Sequence, residues 1–316
     1  MTSEAVTRLD SASEAPRNVG IGLILRRLLR DPVAVFSLLV LTLLLIALLA
    51  AGQVAPYDPL RQNLRLRNLP PGTPSADEGG FPHVLGTDEL GRDLLSRLIH
   101  GARVSLAVGL GSALLSGTAG TALGIVAGYY GGRLDDLIMR LVDLQMSFPF
   151  LLLALLVLYA LGPGFVNVLL VLALVRWMVY ARVARGLTLA MRTSPFIDAA
   201  RVTGNSDLRI IRRHLLPNLA SPLVILFTLE IAALILGEAA LSYLGFGVQK
   251  PEPSWGLMIE AGKSYVSTAW WLTTFPGLAI FLTALSLNLL ASSLRAISDP
   301  VQRERWLNAG LRERTQ

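Results

Sequence analysis

The hydrophobic residues of this chain are gathered into long runs, separated by polar, proline-rich or arginine-rich segments. The first run covers residues 32–51, which matches the roughly 20 residues that a helix needs to cross a membrane. Five more runs follow, at about residues 104–128, 144–161, 165–183, 218–243 and 273–294. This pattern predicts an all-α polytopic membrane protein with six transmembrane helices and both termini on the same side of the bilayer.

The composition agrees with this pattern. Hydrophobic residues make up 53% of the chain and charged residues 16%, whereas soluble domains carry about 25% charged residues. The net charge of +6 would also fit a nucleic-acid-binding protein, but the basic residues alternate with the apolar runs. We therefore assign them to cytoplasmic loops, and expect a lipid bilayer and no nucleic acid as partner.

Basic residues also orient the chain. Arginines are abundant before the first run, after the fourth and after the sixth, and short basic loops stay in the cytoplasm. This places the N-terminal segment 1–31 and the tail 298–316 in the cytoplasm. A cleavable signal peptide is the alternative for residues 32–51, but that run and its basic leader are both too long for one. We expect a retained first helix.

Residues 52–103 are predicted to form an outer loop, because prolines and glycines interrupt any regular pattern up to residue 86. Thr87 or Asp88 then suits the N-cap of a short helix. The apolar residues of this helix form one stripe, Leu94, Leu95, Leu98 and Ile99. Such an amphipathic helix is expected to lie on the outer membrane surface. A second outer stretch covers residues 244–271.

Small residues recur at every fourth position of the second run. They are Ser112, Ser116, Gly120, Gly124 and Gly128. This spacing places them on one helix face, which lets a neighbouring helix approach closely. We predict close packing along this face.

The sequence offers little for catalysis. Gly262-Lys263-Ser264 resembles the end of a phosphate-binding loop, but Leu257 stands where that pattern needs its first glycine. With no cysteine and three histidines, there is little basis for a metal site. We predict a non-catalytic chain that binds no cofactor itself.

The polar segment 184–217 predicts two short helices. Ser194 suits an N-cap and Pro195 the first helical position, while Gly204 suits the end of this first helix. Asn205 or Ser206 is then expected to cap a second helix. That second helix is predicted to end before the proline at position 217.

This segment resembles the EAA loop of binding-protein-dependent ABC importer permeases, the loop that contacts the ATPase. The matching positions are Asp198, Ala199, Ala200, Gly204, His214, Leu216 and Pro217. The spacing is kept, but Asp198 replaces the glutamate of that pattern and His214 its isoleucine. The resemblance implies that these residues couple the chain to a separate ATPase.

Other segments are similar to the C-type permeases of dipeptide, oligopeptide and nickel importers. They include LGTDELGRDLLSRLIHGARVSL, GGRLDDLIMRLVDLQMSFP and LSYLGFGVQKPEPSWGLMI, within a resemblance from about residue 24 to 300. It implies the MetI-like fold of type I ABC importers, with a five-helix core over residues 104–297. It also implies a bacterial inner-membrane location.

The resemblance further implies partners. They are a second permease of B type, two ATPase subunits that bind ATP and Mg, and an external substrate-binding protein. We expect peptides as substrate, with nickel or another small solute as the alternative. A polytopic membrane enzyme or an assembly protein is the alternative class.

Two ionisable residues fall inside predicted spans. Arg176 lies about twelve residues into the fourth span, or ~18 Å at 1.5 Å per residue, and Glu230 is about as deep from the other side. Such charges are costly unless they are paired or face water. We predict that they pair or line a translocation path. Alternatively, Arg176 extends inward while Glu230 faces a partner subunit. Glu238 is expected at the outer interface.

Overall fold

The computed structural model describes residues 28–29, 31–75 and 80–298. Within these residues the chain forms helices and no β-strand beyond two isolated bridges. The ten α-helices of this part are α1 (Pro32–Val54), α2 (Leu94–Tyr130), α3 (Gly132–Met146), α4 (Phe150–Leu161), α5 (Phe165–Arg192), α6 (Pro195–Val202), α7 (Asp207–Ile210), α8 (Leu216–Tyr243), α9 (Trp255–Gly262) and α10 (Trp271–Ser298). The predicted N-terminal segment and tail lie almost entirely outside the described residues.

Five helical segments are long and apolar enough to cross a membrane. They are α1, α2, α5, α7 together with α8, and α10. Helices α3 and α4 pass the same test as a pair, although they meet at an angle of 91°. The described part of the chain therefore contains five candidate spans, or six with the bent pair, which confirms the predicted all-helical polytopic fold.

The third span is broken, so the prediction of one helix over residues 144–161 is wrong. Helix α3 ends at Met146 and α4 begins only after Pro149. Proline lacks an N–H group and disfavours a helical conformation in the residue before it. Helix α4 alone has 12 residues, which at 1.5 Å per residue gives ~18 Å, less than the ~30 Å hydrocarbon core.

The predicted short helix on the outer surface is also wrong. The helix begins at Leu94, with the Asp93 carboxylate capping the Ser96 N–H at 2.8 Å, and it runs unbroken to Tyr130. Leu94 is only 2% exposed, so the apolar stripe packs inside the protein rather than against lipid. The predicted surface helix is therefore the first part of the second span.

Helices α2 and α5 pack along the predicted stripe of small residues. A Cβ atom at Gly124 would lie 2.3 Å from the carbonyl oxygen of Ala181, and one at Gly128 would lie 2.8 Å from that of Arg185. These distances are too short for any side chain, so only glycine allows this approach. The prediction of close packing along this face is confirmed.

Two tryptophans connect the outer loop and the start of α2 to the later helices. The Trp271 indole donates to the Thr87 carbonyl at 3.2 Å, and that of Trp255 donates to the Leu98 carbonyl at 3.0 Å. Both side chains are buried. The two predicted outer segments therefore form a packed layer over one end of the helix bundle.

Candidate functional site

The predicted coupling segment follows α5. Helix α6 begins at Pro195, and Gly204 follows its last turn with φ +77°. Proline suits the first helical position, and glycine adopts a positive φ without strain. Ser194 occupies the N-cap position, but its hydroxyl donates to the Met191 carbonyl instead of accepting an N–H of the helix. The segment therefore keeps the predicted start and end, without a side-chain cap.

Helix α6 has one packed face and one exposed face. Ile197 is fully buried and Ala200 is 7% exposed. They belong to a small cluster with Tyr129, Ile210, Leu215 and Leu219. Away from this face Val202 is 88% exposed, and Phe196, one turn before Ala200, is 44% exposed. Within the described part of the chain, this side of α6 is therefore left uncovered.

The predicted coupling residues divide between these faces. The Asp198 side chain is 61% exposed and pairs with Arg201 of the same helix at 3.0 Å. Ala199 is exposed beside it, whereas Ala200 belongs to the packed face. Asp198 and Ala199 thus point away from the bundle, and Ala200 packs against it.

The second helix of the predicted coupling segment does not end before Pro217, so that prediction is wrong. Helix α7 continues through a π-helical segment, Ile211–Leu215, directly into α8. In this wider turn the N–H of Leu216 bonds to the carbonyl of Ile211, five residues back. The wider turn carries the helix past a proline that cannot donate an N–H. The coupling segment is therefore continuous with the fifth span.

The remaining motif residues lie at this junction. Leu216 is 43% exposed. His214 is half-buried, and its carbonyl accepts a hydrogen bond from the Asn218 amide at 2.6 Å. Asn205 and Ser206 were the two predicted N-caps of the second helix, and Ser206 occupies that position in α7.

Arg176 on α5 and Glu230 on α8 form an ion pair with two hydrogen bonds. Nε and Nη2 of Arg176 donate to the two carboxylate oxygens at 2.7 and 2.6 Å. The side chains are 21% and 7% exposed, respectively, and the Phe150 ring lies 5.6 Å from the guanidinium carbon. Bidentate pairing satisfies both charges away from water. The structure thus brings the two predicted residues together and joins the fourth span to the fifth.

Glu238, which was expected at the outer interface, is fully buried inside the protein. Hydroxyls of Ser105 and Ser242 donate to its two carboxylate oxygens, at 2.9 and 2.7 Å. The Ser105 oxygen also accepts the backbone N–H of Trp255 at 3.2 Å. Helix α9 folds back over α8 at this point, because Gly256 lies against the backbone of residue 239. The return of the chain buries the carboxylate.

A buried charge cluster in the outer loop was not predicted. Asp88 contacts Arg92 at 2.7 Å and Arg97 at 3.2 Å, and His83 contacts Asp93 at 2.9 Å. All five side chains belong to residues that are at most 5% exposed. Alternating acids and bases over residues 88–97 signal ion pairing, but burial depends on the loop that packs over them.

The comparisons with known proteins identify the class. The family model for the binding-protein-dependent transport system inner membrane component matches residues 120–304. A second model, the N-terminal transmembrane domain of oligopeptide transport permease C, matches residues 21–71. The chain belongs to the family of binding-protein-dependent transport permeases, which confirms the predicted resemblance.

Several relatives align over most of their length. The di/tripeptide transport system permease protein DppC of Pseudomonas aeruginosa is 42% identical, over 84% of this chain and 88% of the relative. The probable D,D-dipeptide transport system permease protein DdpC of Escherichia coli is 38% identical, over 85% and 88%. The glutathione transport system permease protein GsiD of Pectobacterium atrosepticum is 41% identical, over 87% and 89%.

A solved structure shares the fold. The chain is similar to an inward-facing form of the MetNI methionine ABC transporter, with a TM-score of 0.53 and 19% sequence identity. The match covers 64% of this chain and 97% of the other. It confirms the MetI-like permease fold.

Proposed function

We propose that this chain is the permease subunit of an importer that moves peptides delivered by an external substrate-binding protein. The membrane fold and the family make it a transport permease. Three relatives named for di/tripeptide, D,D-dipeptide and glutathione transport support a peptide substrate. Nickel or another small solute is the alternative.

The observation that carries the mechanism is the two-faced helix α6. Its exposed face holds Asp198 and, one turn further on, Val202, while Phe196 is partly exposed at the start of the helix. A short helix with one packed face suits a groove on a partner protein. We assign that groove to an ATPase subunit, and ATP and Mg bind to the ATPase subunits. This chain is then a non-catalytic part of the transporter.

The assembly contains two permeases. One chain supplies at most six candidate spans in its described part, and we place the substrate path between this chain and a second, B-type permease. Two ATPase subunits lie on the cytoplasmic side, where we place residues 184–217 and both termini. The whole complex lies in the bacterial inner membrane.

Two connections would carry motion from α6 to the spans. Residues 193–194 join α6 to α5. On its other side α6 is joined through the Gly204 turn to α7, which continues into α8. Helix α5 packs closely on α2. Closure of the ATPase dimer would therefore move three spans together. In this scheme Ala200 contacts the bundle, Gly204 forms the turn, and Leu216 with Pro217 form the junction to the fifth span.

The Arg176–Glu230 pair would keep α5 and α8 together during this motion. A buried pair is expensive to break, because each charge would remain without its partner in a low-dielectric surrounding. We place the pair beside the translocation path, where the 21% exposure of the arginine side chain leaves it accessible to a solute.

Uptake assays in a deletion strain test the substrate. A strain that lacks this chain should lose uptake of a labelled dipeptide and regain it with the wild-type gene, while nickel uptake stays unchanged. Loss of nickel uptake alone would replace the peptide proposal by its alternative. If neither solute is affected and a membrane enzyme or another complex fails instead, the importer proposal is wrong.

A further inference from the structure

Tyr129 lies near the end of α2, where it meets both helices of the coupling segment. Its hydroxyl donates a hydrogen bond to a carboxylate oxygen of Asp207, the first residue of α7, at 2.8 Å. The Arg201 guanidinium carbon of α6 lies 5.6 Å from the ring centroid. Tyr129 is 7% exposed and belongs to the same apolar cluster as Ile197 and Ile210. One side chain of the second span therefore contacts α6 and α7.

These contacts form a connected series across the Gly204 turn. Asp198 pairs with Arg201, Arg201 stacks on Tyr129, and Tyr129 bonds to Asp207. The turn itself has open space around its glycine, so packing at that residue does not fix the angle between α6 and α7. The side chain from the second span bridges the two helices instead.

Helix α6 is also held across the turn by Asn205, whose backbone N–H and side-chain amide donate to the Ala200 carbonyl at 3.2 and 3.0 Å. It has 8 residues, far below the roughly 12–15 that an isolated helix needs for marginal stability. Its packed face offers only Ile197 and Ala200 as buried side chains. A hydrogen bond to an ionised carboxylate is stronger than a neutral one. The Tyr129–Asp207 bond is therefore the polar contact that adds to the apolar cluster in holding the segment against α2.

We propose that Tyr129 is a positioning residue, which fixes α6 against the second span so that motion of α6 reaches the membrane helices. The inference rests on the proposed function, in which an ATPase docks on α6. Without the Tyr129 hydroxyl, part of the applied motion would bend the Gly204 turn instead of moving α2 and α8 together. Hydrolysis of ATP would continue, but less substrate would move for each ATP.

The chain offers a matched control. Tyr130, the next residue, is 52% exposed and contacts the Tyr129 ring edge to face at 5.2 Å. Its hydroxyl makes no hydrogen bond within the part of the chain that the structure describes. Tyr130→Phe therefore removes the same atom from a neighbouring ring without touching Asp207. Asp207→Asn keeps a side-chain oxygen that accepts the bond, whereas Asp207→Ala removes it.

The test uses the complete complex, with its partner permease, ATPases and binding protein, in proteoliposomes. We expect Tyr129→Phe and Asp207→Ala to lower dipeptide transported per ATP hydrolysed by about fivefold, the size of one hydrogen bond of ~1 kcal/mol. The double variant should be no worse than either single variant. Tyr130→Phe should stay near wild type, and Asp207→Asn, which keeps a neutral hydrogen bond, should fall between wild type and Asp207→Ala. The proposal is wrong if ATP hydrolysis and transport fall in equal proportion, or if Asp207→Asn behaves as Asp207→Ala does.

Amide hydrogen exchange separates this inference from the substrate proposal. Residues 195–207 of the assembled complex should exchange faster in Tyr129→Phe than in Tyr130→Phe. If the wild-type complex hydrolyses ATP but moves no dipeptide, the peptide proposal fails, and faster exchange still supports the positioning role. Equal exchange in both variants overturns that role whatever the substrate.

Discussion

Gly120 of helix α2 lies directly against the backbone carbonyl of Trp177 on α5. A Cβ atom at residue 120 would be 2.1 Å from that oxygen, far inside van der Waals contact. The two helices can therefore pack at this distance only while residue 120 has no side chain. One turn further on, Gly124 makes the same kind of contact with Ala181. The second and fourth spans are thus joined into one unit by backbone contact.

Substitution of Gly120 by alanine should separate these helices. The added methyl group meets a backbone atom that cannot move away by a side-chain rotation, so we expect a loss of about 1–3 kcal/mol in stability. Thermal unfolding of the purified protein in detergent measures this loss. Transport should fall with it, because the two spans no longer move as one.

Gly186→Ala is the matched control for Gly120→Ala. Gly186 lies in the same pair of helices, on α5, and a Cβ atom there meets nothing within 4 Å. Alanine has the better helix propensity by ~1 kcal/mol, so this variant should be neutral or slightly more stable. Equal destabilisation by the two variants would contradict the role given to the close contact.

The Arg176–Glu230 pair makes a second prediction. Arg176→Gln leaves the carboxylate buried without its partner, and breaking a buried pair costs about 3–5 kcal/mol. We expect a lower yield of folded protein and loss of uptake. Reversing both charges, in Arg176→Glu with Glu230→Arg, should recover part of the uptake that either reversal alone abolishes.

Arg182→Gln provides the control for this pair. Arg182 also pairs with a carboxylate, that of Asp143, but the two side chains are 49% and 67% exposed. Exposed pairs contribute about 0–1 kcal/mol, so folded yield should change little. A double reversal at residues 176 and 230 that performs no better than the single reversals would show that their pairing is unimportant.

Local periodicity was sufficient for some of this structure. The four-residue spacing of Gly120, Gly124 and their neighbours fixes one helix face, because helical geometry decides which side chains share it. Arg176 and Glu230 lie at similar depths in two antiparallel spans, and this was enough to predict that their side chains could pair. The first helix of the coupling segment could also be placed, since its proline start and its glycine end are local signals.

Other features depend on contacts that are distant in sequence. Thr87, Asp88 and Asp93 are all residue types that suit an N-cap. The Thr87 hydroxyl donates to the Leu66 carbonyl and Asp88 pairs with Arg92 and Arg97, whereas Asp93 accepts the Ser96 N–H. Burial of Glu238 depends on helix α9 returning over it. The break at Pro149, by contrast, was a local signal that hydropathy alone concealed.

Glu238 makes a third prediction. It is fully buried, with hydroxyls of Ser105 and Ser242 donating to its carboxylate. Glu238→Gln retains the shape and one acceptor oxygen, whereas Glu238→Leu leaves these hydroxyls without their acceptor. An unsatisfied buried group costs about 1–3 kcal/mol, so the leucine variant should unfold at a lower temperature than the glutamine variant.

Glu260→Leu is the comparison for Glu238→Leu. Glu260 lies on α9 with 29% of its side chain exposed and pairs with Lys263 at 3.1 Å. Loss of an exposed pair of this kind should change the stability by less than about 1 kcal/mol. If Glu238→Leu is as stable as wild type, the buried hydrogen bonds do not stabilise the outer layer.

Gly204 makes the last prediction, because its φ of +77° belongs to the left-handed region while the space around it is open. Any effect of substitution therefore comes from the backbone and not from a clash. For a residue with a Cβ atom this conformation costs about 1–2 kcal/mol, and asparagine tolerates it better than valine.

Gly204→Val should change the turn between α6 and α7 and reduce dipeptide uptake strongly, although the protein still inserts into the membrane at its normal level. Gly204→Asn should retain most of the uptake. Uptake by Gly204→Val at the wild-type rate would mean that the turn does not transmit motion from the ATPase.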